Sequence, residues 1–298
     1  MKTFNDVIEK VKNLGPFTVC VAAAEDREVL AALKLAADLG FVKPVLAGDA
    51  DKIRTQAAEA GLRDYDILPA ADPEEAAAKA VALVKKGGAD ILMKGLINTS
   101  LYLRAVLHRE NGLRSGRPLS LLAVYELPEY HKLIFGTDSG INTAPDLERK
   151  KDILINALQA MRGLGLDRPK VAALAANELV DPKIPATADA AALVALAEAG
   201  ELPPCVLEGP LALDVAFNKE AAEHKGIKSA VAGEVDLLLF PNIEAGNMLG
   251  KSWLCFNRAK WAGIVLGAAR PVILGSRSDS AEVKVNSIAL GCLASREK

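Results

Sequence analysis

The chain has 298 residues, 51% of them apolar and only 4% aromatic, and a formal net charge of −2. That length suits one large or two medium α/β domains with an ample core. Mixed charge and scarce aromatic rings exclude a basic stripe or a base-stacking platform, so no nucleic acid partner is expected.

The first residues, from Met1 to Lys10, read as an amphipathic helix rather than a signal peptide. No apolar run is long and charge-free enough to span a bilayer, so no membrane association is expected and the chain reads as soluble and cytoplasmic. From residue 17 onward, short β-type runs alternate with Ala-rich helical patterns. Strands are expected over 17–24, 42–47, 65–68 and 89–94, with helices over 26–40, 49–60 and 99–108. Between the third and fourth strands, Asp72-Pro73-Glu74-Glu75 supplies an N-cap, a proline at the first helical position and acids in the first turn. Two neighbouring strand runs, 120–125 and 132–136, predict an antiparallel addition to a mainly parallel sheet.

A long helix over 145–163 follows, and the alternation then restarts. Strands are expected over 170–175, 205–209, 235–241, 264–267 and 271–275. Helices are expected over 187–200, 246–261 and 279–293. Two sets of β/α units predict two α/β/α domains with mainly parallel sheets and an interdomain cleft. The expected division is 1–144 plus 271–298 for a discontinuous first domain, and 145–270 for the second.

Five polar islands interrupt this pattern at strand ends, where open α/β sheets bind ligands. The first is the run from Met93 to Ser100 with Arg104 beyond it; Lys94 and Arg104 can each offer positive charge to a phosphate. Equally, Asn98 or Thr99 can be a helix cap and Arg104 a solvated helix residue. The second runs from Gly136 to Pro145 and holds Asp138, Ser139 and Asn142 in ordinary turn chemistry, yet is longer than a short connection requires. The third carries Asp214 in an otherwise apolar run, where a carboxylate must reach solvent or a partner. The fourth places Asn242, Gly246, Asn247 and Lys251 where a strand passes into a helix. In the fifth, a strand delivers Ser276 and Arg277 to a helix start, a ready anion site. Asp279 and Glu282 there have the spacing of a capping box and can be purely structural.

Other chemistries leave no mark. The four cysteines form no C-x-x-C pair, and no H-x-H, H-E-x-x-H or carboxylate cluster points to a metal. There is no G-x-G-x-x-G after the first strand and no Walker A motif.

Taken in order, the islands resemble the phosphate acetyl/butyryltransferase family over essentially the whole chain. Phe240-Pro-x-x-x-x-Gly246-Asn247-x-x-x-Lys251 and Pro271-Val…Ser276-Arg277 are the most specific pieces. Thr99-x-x-x-x-Arg104, Asp138-x-x-x-Asn142-x-x-Pro145 and Gly209-Pro-Leu-x-x-Asp214-x-Ala216 support them. The compact length, Lys94-Gly-Leu-Ile-Asn-Thr and Thr137-Asp-Ser-Gly-Ile-Asn lean toward the butyryl branch.

The resemblance implies an isocitrate dehydrogenase-like architecture and the reaction acyl-CoA + phosphate ⇌ acyl phosphate + CoA, with no metal, no cofactor beyond the substrates and no covalent intermediate. It also implies a homodimer or larger assembly. Ser276, Arg277, Asp279 and Glu282 are then the catalytic candidates. Lys94, Thr99, Arg104, Asp138, Ser139, Asn142, Asp214, Asn242, Gly246, Asn247 and Lys251 are the substrate-binding ones. One departure matters: acetyl-type members carry an acid six residues beyond the Arg, where this chain has Val283. A phosphate acetyltransferase is the nearest alternative, since two buried methylenes differ by only about 0.8 kcal/mol each. A carrier-protein-dependent acyl phosphate synthase, a decarboxylating dehydrogenase on the same fold and a non-catalytic CoA- or acyl-phosphate-binding protein are the others.

Overall fold

The computed structural model describes residues 1–276 and 279–296. In chain order the elements are α1 (Phe4–Lys12), β1 (Phe17–Ala22), α2 (Arg27–Asp38), β2 (Val42–Gly48), α3 (Ala50–Ala60), β3 (Asp66–Pro69), α4 (Pro73–Lys85), β4 (Ile91–Lys94) and α5 (Thr99–Val106). Next come β5 (Ser120–Glu126), β6 (Ile134–Thr137), α6 (Leu147–Gly163), β7 (Lys170–Leu174), α7 (Pro185–Glu198), β8 (Val206–Leu211), α8 (Leu213–Phe217) and α9 (Lys219–His224). The chain ends with β9 (Leu237–Leu239), α10 (Ile243–Phe256), β10 (Lys260–Leu266), β11 (Val272–Ile273) and α11 (Ala281–Ala294).

Local chemistry accounts for most helix starts. Asp26, Asp49, Asp72 and Asp146 each place a side-chain oxygen on backbone N–H groups two or three residues ahead, satisfying donors that a helix start leaves unpaired. In α2 the buried positions Val29, Leu30, Leu33 and Ala36 make one face of the helix.

All strands belong to one sheet of order β3-β2-β1-β4-β11-β10-β5-β6-β9-β7-β8. β1 to β4 and β11 run parallel. β10 and β5 reverse direction in turn, and β5 and β6 form the expected antiparallel pair. β6, β9, β7 and β8 are again mutually parallel. Counting the reversals, the parallel set around β9 points opposite to the set around β1. The last strand returns to β4, and α11 packs on α1 and α2 from the start of the chain.

Among the departures from the sequence expectation, three bear on the site. The helix expected over 246–261 is α10, which starts earlier because the Asn242 side-chain oxygen accepts from the Ala245 N–H at 2.9 Å, and stops at Phe256. Trp261 lies instead in β10, which pairs along its whole length with β5, Lys260 opposite Glu126 through Leu266 opposite Ser120. The last helix begins at Ala281, not Asp279: Ser280 is its cap, its hydroxyl accepting from the Val283 N–H at 3.4 Å. The Asp279–Glu282 capping box is therefore not formed.

Candidate active site

β4 and β11 are parallel neighbours with Ile273 level with Met93, so Lys94 and the stretch 274–276 leave the sheet side by side. Lys94 is 6% exposed, and its ammonium donates to the Gly95 carbonyl at 3.1 Å. A side chain on Gly95 would collide with the Ala23 backbone; glycine lets the turn after β4 press against the turn after β1. Ala23 there has φ 57°, a left-handed conformation uncommon for a residue with a β-carbon. It also ends β1 two residues short of the expected 24.

Beyond Gly95, Asn98 caps α5, its oxygen accepting from the Ser100 N–H at 2.9 Å and the Ser100 hydroxyl at 2.7 Å. Thr99 is exposed at the first helical position. Arg104 is exposed and ion-paired at 2.7 Å to Glu74 in the first turn of α4. A phosphate that engages Arg104 has to compete with that carboxylate.

Ser276 lies past the end of β11. Arg277 lies outside the described residues. Asp279 turns its carboxylate back so that it accepts from the Ser276 N–H at 2.6 Å, while the Asp279 N–H donates to the Ser276 carbonyl at 3.1 Å. Burial raises the Asp279 pKa above its ordinary value, against the lowering effects of the Ser276 N–H and the charge of Lys284. Glu282 is different: its side chain is 62% exposed and paired with Lys260 at 3.0 Å. With the capping box absent, the two candidate acids separate into a half-buried one on the Ser276 turn and a surface one.

A second group gathers at the C-terminal ends of β6 and β9. The Asp138 carboxylate, 3% exposed, accepts from the N–H groups of Gly140, Ile141 and Asn142 at 2.8, 3.1 and 3.0 Å and from the Asn142 side chain at 2.6 Å. Asn142 also donates to the Leu119 carbonyl at 2.8 Å. These two residues organise their own loop. Ser139, 5% exposed, is hydrogen-bonded to the Tyr125 hydroxyl, and burial pushes that hydroxyl up to about 12. The Asn247 amide donates to the Ser139 carbonyl at 3.2 Å. Gly246 permits this approach, since a β-carbon there would stand 2.5 Å from Phe240 Cδ2 and 2.9 Å from Ser139 Cβ. Lys251 is exposed on α10, four residues beyond Asn247 and on the same face.

Helix α5 bridges the groups. Ile141 packs in the same apolar cluster as Leu101 and Leu103. A cavity of about 760 Å³ between α5 and the start of α6 is lined by Leu103, Leu107, Asn142, Arg114, Arg117 and Arg149. Asp214 belongs to neither group. It reaches solvent on α8 and pairs with Lys225 at 3.0 Å, which also holds Glu178 at 2.8 Å.

Sequence reasoning passed over two participants. Tyr125 carries no signal of its own in a strand pattern. Lys284 does: it stands between valines near the start of a mainly apolar helical run, so by the argument applied to Asp214 it had to find a partner.

These strand ends, with clustered polar side chains and glycines admitting close backbone approach, belong to an α/β protein with a mostly parallel sheet. Comparison with known proteins narrows this. The family model described as phosphate acetyl/butaryl transferase matches residues 73–292. A phosphate butyryltransferase of Clostridium acetobutylicum is 43% identical over 300 residues, covering 100% of both chains. A phosphate acetyltransferase of Rhizobium meliloti is 41% identical, covering 97% of this chain and 92% of its own. The crystal structure of a branched-chain phosphotransacylase from Enterococcus faecalis superposes with a TM-score of 0.82 at 31% identity, covering 95% of this chain and 100% of that one. The chain belongs to the phosphate acetyl/butyryltransferase family, and its fold is the two-part, mostly parallel α/β fold of the phosphotransacylases.

Proposed function

We propose that the protein transfers a short acyl group between CoA and inorganic phosphate, acyl-CoA + phosphate ⇌ acyl phosphate + CoA, with butyryl as the favoured acyl group. The observation that carries this reading is full-length similarity to a phosphate butyryltransferase, in a chain whose Ser276 and Lys94 leave adjacent parallel strands together.

In the thioester-forming direction, Asp279 takes the thiol proton of CoA, and the thiolate attacks the carbonyl carbon of the acyl phosphate. The tetrahedral oxyanion that forms needs fixed donors or positive charge. Ser276 and Arg277 are assigned that role, with Arg104 and Lys94 holding the phosphate. Collapse of the intermediate breaks the bond to the phosphate oxygen and releases phosphate. In the opposite direction a phosphate oxygen attacks the thioester, and protonated Asp279 returns its proton to the departing thiolate. A carboxyl group whose pKa is raised suits both halves. Asp279 is preferred to Glu282 because Glu282 is held at the surface by Lys260. Holding both substrates in one cleft supplies much of the remaining rate. This chemistry is nucleophilic acyl substitution and draws on no cofactor beyond its substrates.

No helix among the described residues is long and apolar enough to cross a membrane, which accords with a cytoplasmic enzyme. We assign it a homodimeric or larger state, testable by light scattering. The deciding experiment is phosphate-dependent CoA release from acetyl-, butyryl- and isobutyryl-CoA, with Arg277→Ala as control. Butyryl preference, abolished in the variant, supports the reading; preference for another chain keeps the reaction and changes the substrate. Absence of thiol release from all three rejects it.

A further inference from the structure

Lys284 occupies a costly position. It lies in the first turns of α11 and is 3% exposed, and every residue from Lys284 to Ala294 is buried. An ammonium there is unfavourable three times over: it loses water, it faces the positive end of the helix dipole, and its long side chain loses rotamer freedom. A leucine or methionine would satisfy packing without any of these costs. What only a cation with several N–H donors can do is seen in its partners. The Lys284 ammonium donates to the Ser276 carbonyl at 3.3 Å and, closer still, to the Asp279 carbonyl. Its stem passes Gly275, where a β-carbon would lie 3.9 Å from Lys284 Cγ and Cε. One side chain on a rigid, buried helix therefore ties both ends of the turn that leaves β11. The Asp279 carboxylate closes the same turn from the other side by accepting from the Ser276 N–H.

We propose that Lys284 is a positioning residue for the acyl transfer, clamping the Ser276–Asp279 turn onto α11 so that Ser276 and Asp279 keep fixed places at the end of β11. The inference rests on the phosphotransacylase reading of Ser276 and Asp279, and it makes no contact between Lys284 and substrate. Preorganised groups must be held by a supporting shell, since displacement by about 1 Å can cost on the order of 100-fold in rate.

The test compares Lys284→Met, Lys284→Gln and Lys284→Arg with the full-length wild-type protein. Phosphate-dependent CoA release is followed together with hydrogen exchange at the Ser276 and Asp279 amides. Lys284→Met is expected to lower kcat about 10- to 100-fold with the KM for acyl-CoA within about threefold. Lys284→Arg, which keeps charge and donors, is expected to recover most of that loss. Amide exchange in the turn is expected to rise at least about tenfold in Lys284→Gln while the middle of α11 stays protected. A kcat within about threefold of wild type in Lys284→Met overturns the proposal. If Lys284→Met does not fold, the exchange measurement on Lys284→Gln decides, and unchanged turn amides overturn it equally. Should wild type itself show no CoA release, the functional reading falls, and the exchange result still reports whether Lys284 clamps the turn.

Discussion

Asp138 receives both the backbone N–H and the side-chain amide of Asn142, at 3.0 and 2.6 Å, on a single carboxylate oxygen. Its other oxygen takes the N–H groups of Gly140 and Ile141. The pair therefore shapes the loop that carries Ser139.

Replacing Asp138 should be severe and insensitive to how conservative the change is. Asp138→Ala strands four donors in a partly buried loop, for a loss of about 1–3 kcal/mol in urea unfolding. Asp138→Asn turns one acceptor into a donor facing donors, and is expected to cost nearly as much. An Asn variant within about 0.5 kcal/mol of wild type would refute this role.

Gly246 controls how closely α10 approaches the same loop. Gly246→Ala sets a methyl group 2.5 Å from Phe240 Cδ2 and 2.9 Å from Ser139 Cβ, an overpacking expected to cost about 1–3 kcal/mol. Turnover should fall with it as Ser139 is displaced, whereas Asp214→Ala, out on α8, should leave turnover unchanged. Equal kinetics for the two variants would mean that the α10 approach does not matter to the site.

Arg104 is held by Glu74 at 2.7 Å. If it serves phosphate, removing its competitor should help: Glu74→Gln is expected to lower the KM for phosphate by about 2–5-fold, the size of an exposed ion pair. The KM for acyl-CoA should not move. An unchanged phosphate KM would leave Arg104 a solvated helix residue.

The pH dependence follows from the raised pKa of Asp279. Its folded-state value lies above the unfolded one, so the protonated group favours the native state and that contribution is lost as pH rises through the folded value. Asp279→Asn cannot ionise; its melting temperature should therefore gain on wild type as pH rises from the ordinary carboxylate range to above the raised folded value. Thioester formation in wild type should lose activity on acidification at a higher pH than an ordinary carboxylate would dictate. A melting difference that is flat with pH would show the group is not perturbed.

Much of this architecture was legible from the chain alone. The cap at Asp72, the proline at the start of α4 and the apolar stripe of α2 are settled by residues within a turn of each other. The alternation of strand and helix follows from the same short-range chemistry, as does the antiparallel pair β5–β6. The islands were visible because polar residues at strand ends have no packing reason to be there.

What the sequence could not order is which islands meet. Strand β10 reaches back to Lys260 because it lies along β5, more than a hundred residues away, and that pairing outweighs the helical pattern that carried the expectation to Trp261. Whether Asp279 caps a helix or closes the Ser276 turn depended on Ser280 taking the cap and on the buried ammonium of Lys284. Asp214 and Asp138 look alike as acids of the polar islands; one ends in solvent beside Lys225 and the other inside its own loop. A cap is a contest between neighbours in the chain, decided by a few dihedral angles. A charge's partner is decided by which distant strands and helices the sheet brings to the same end, and only the folded chain contains that information.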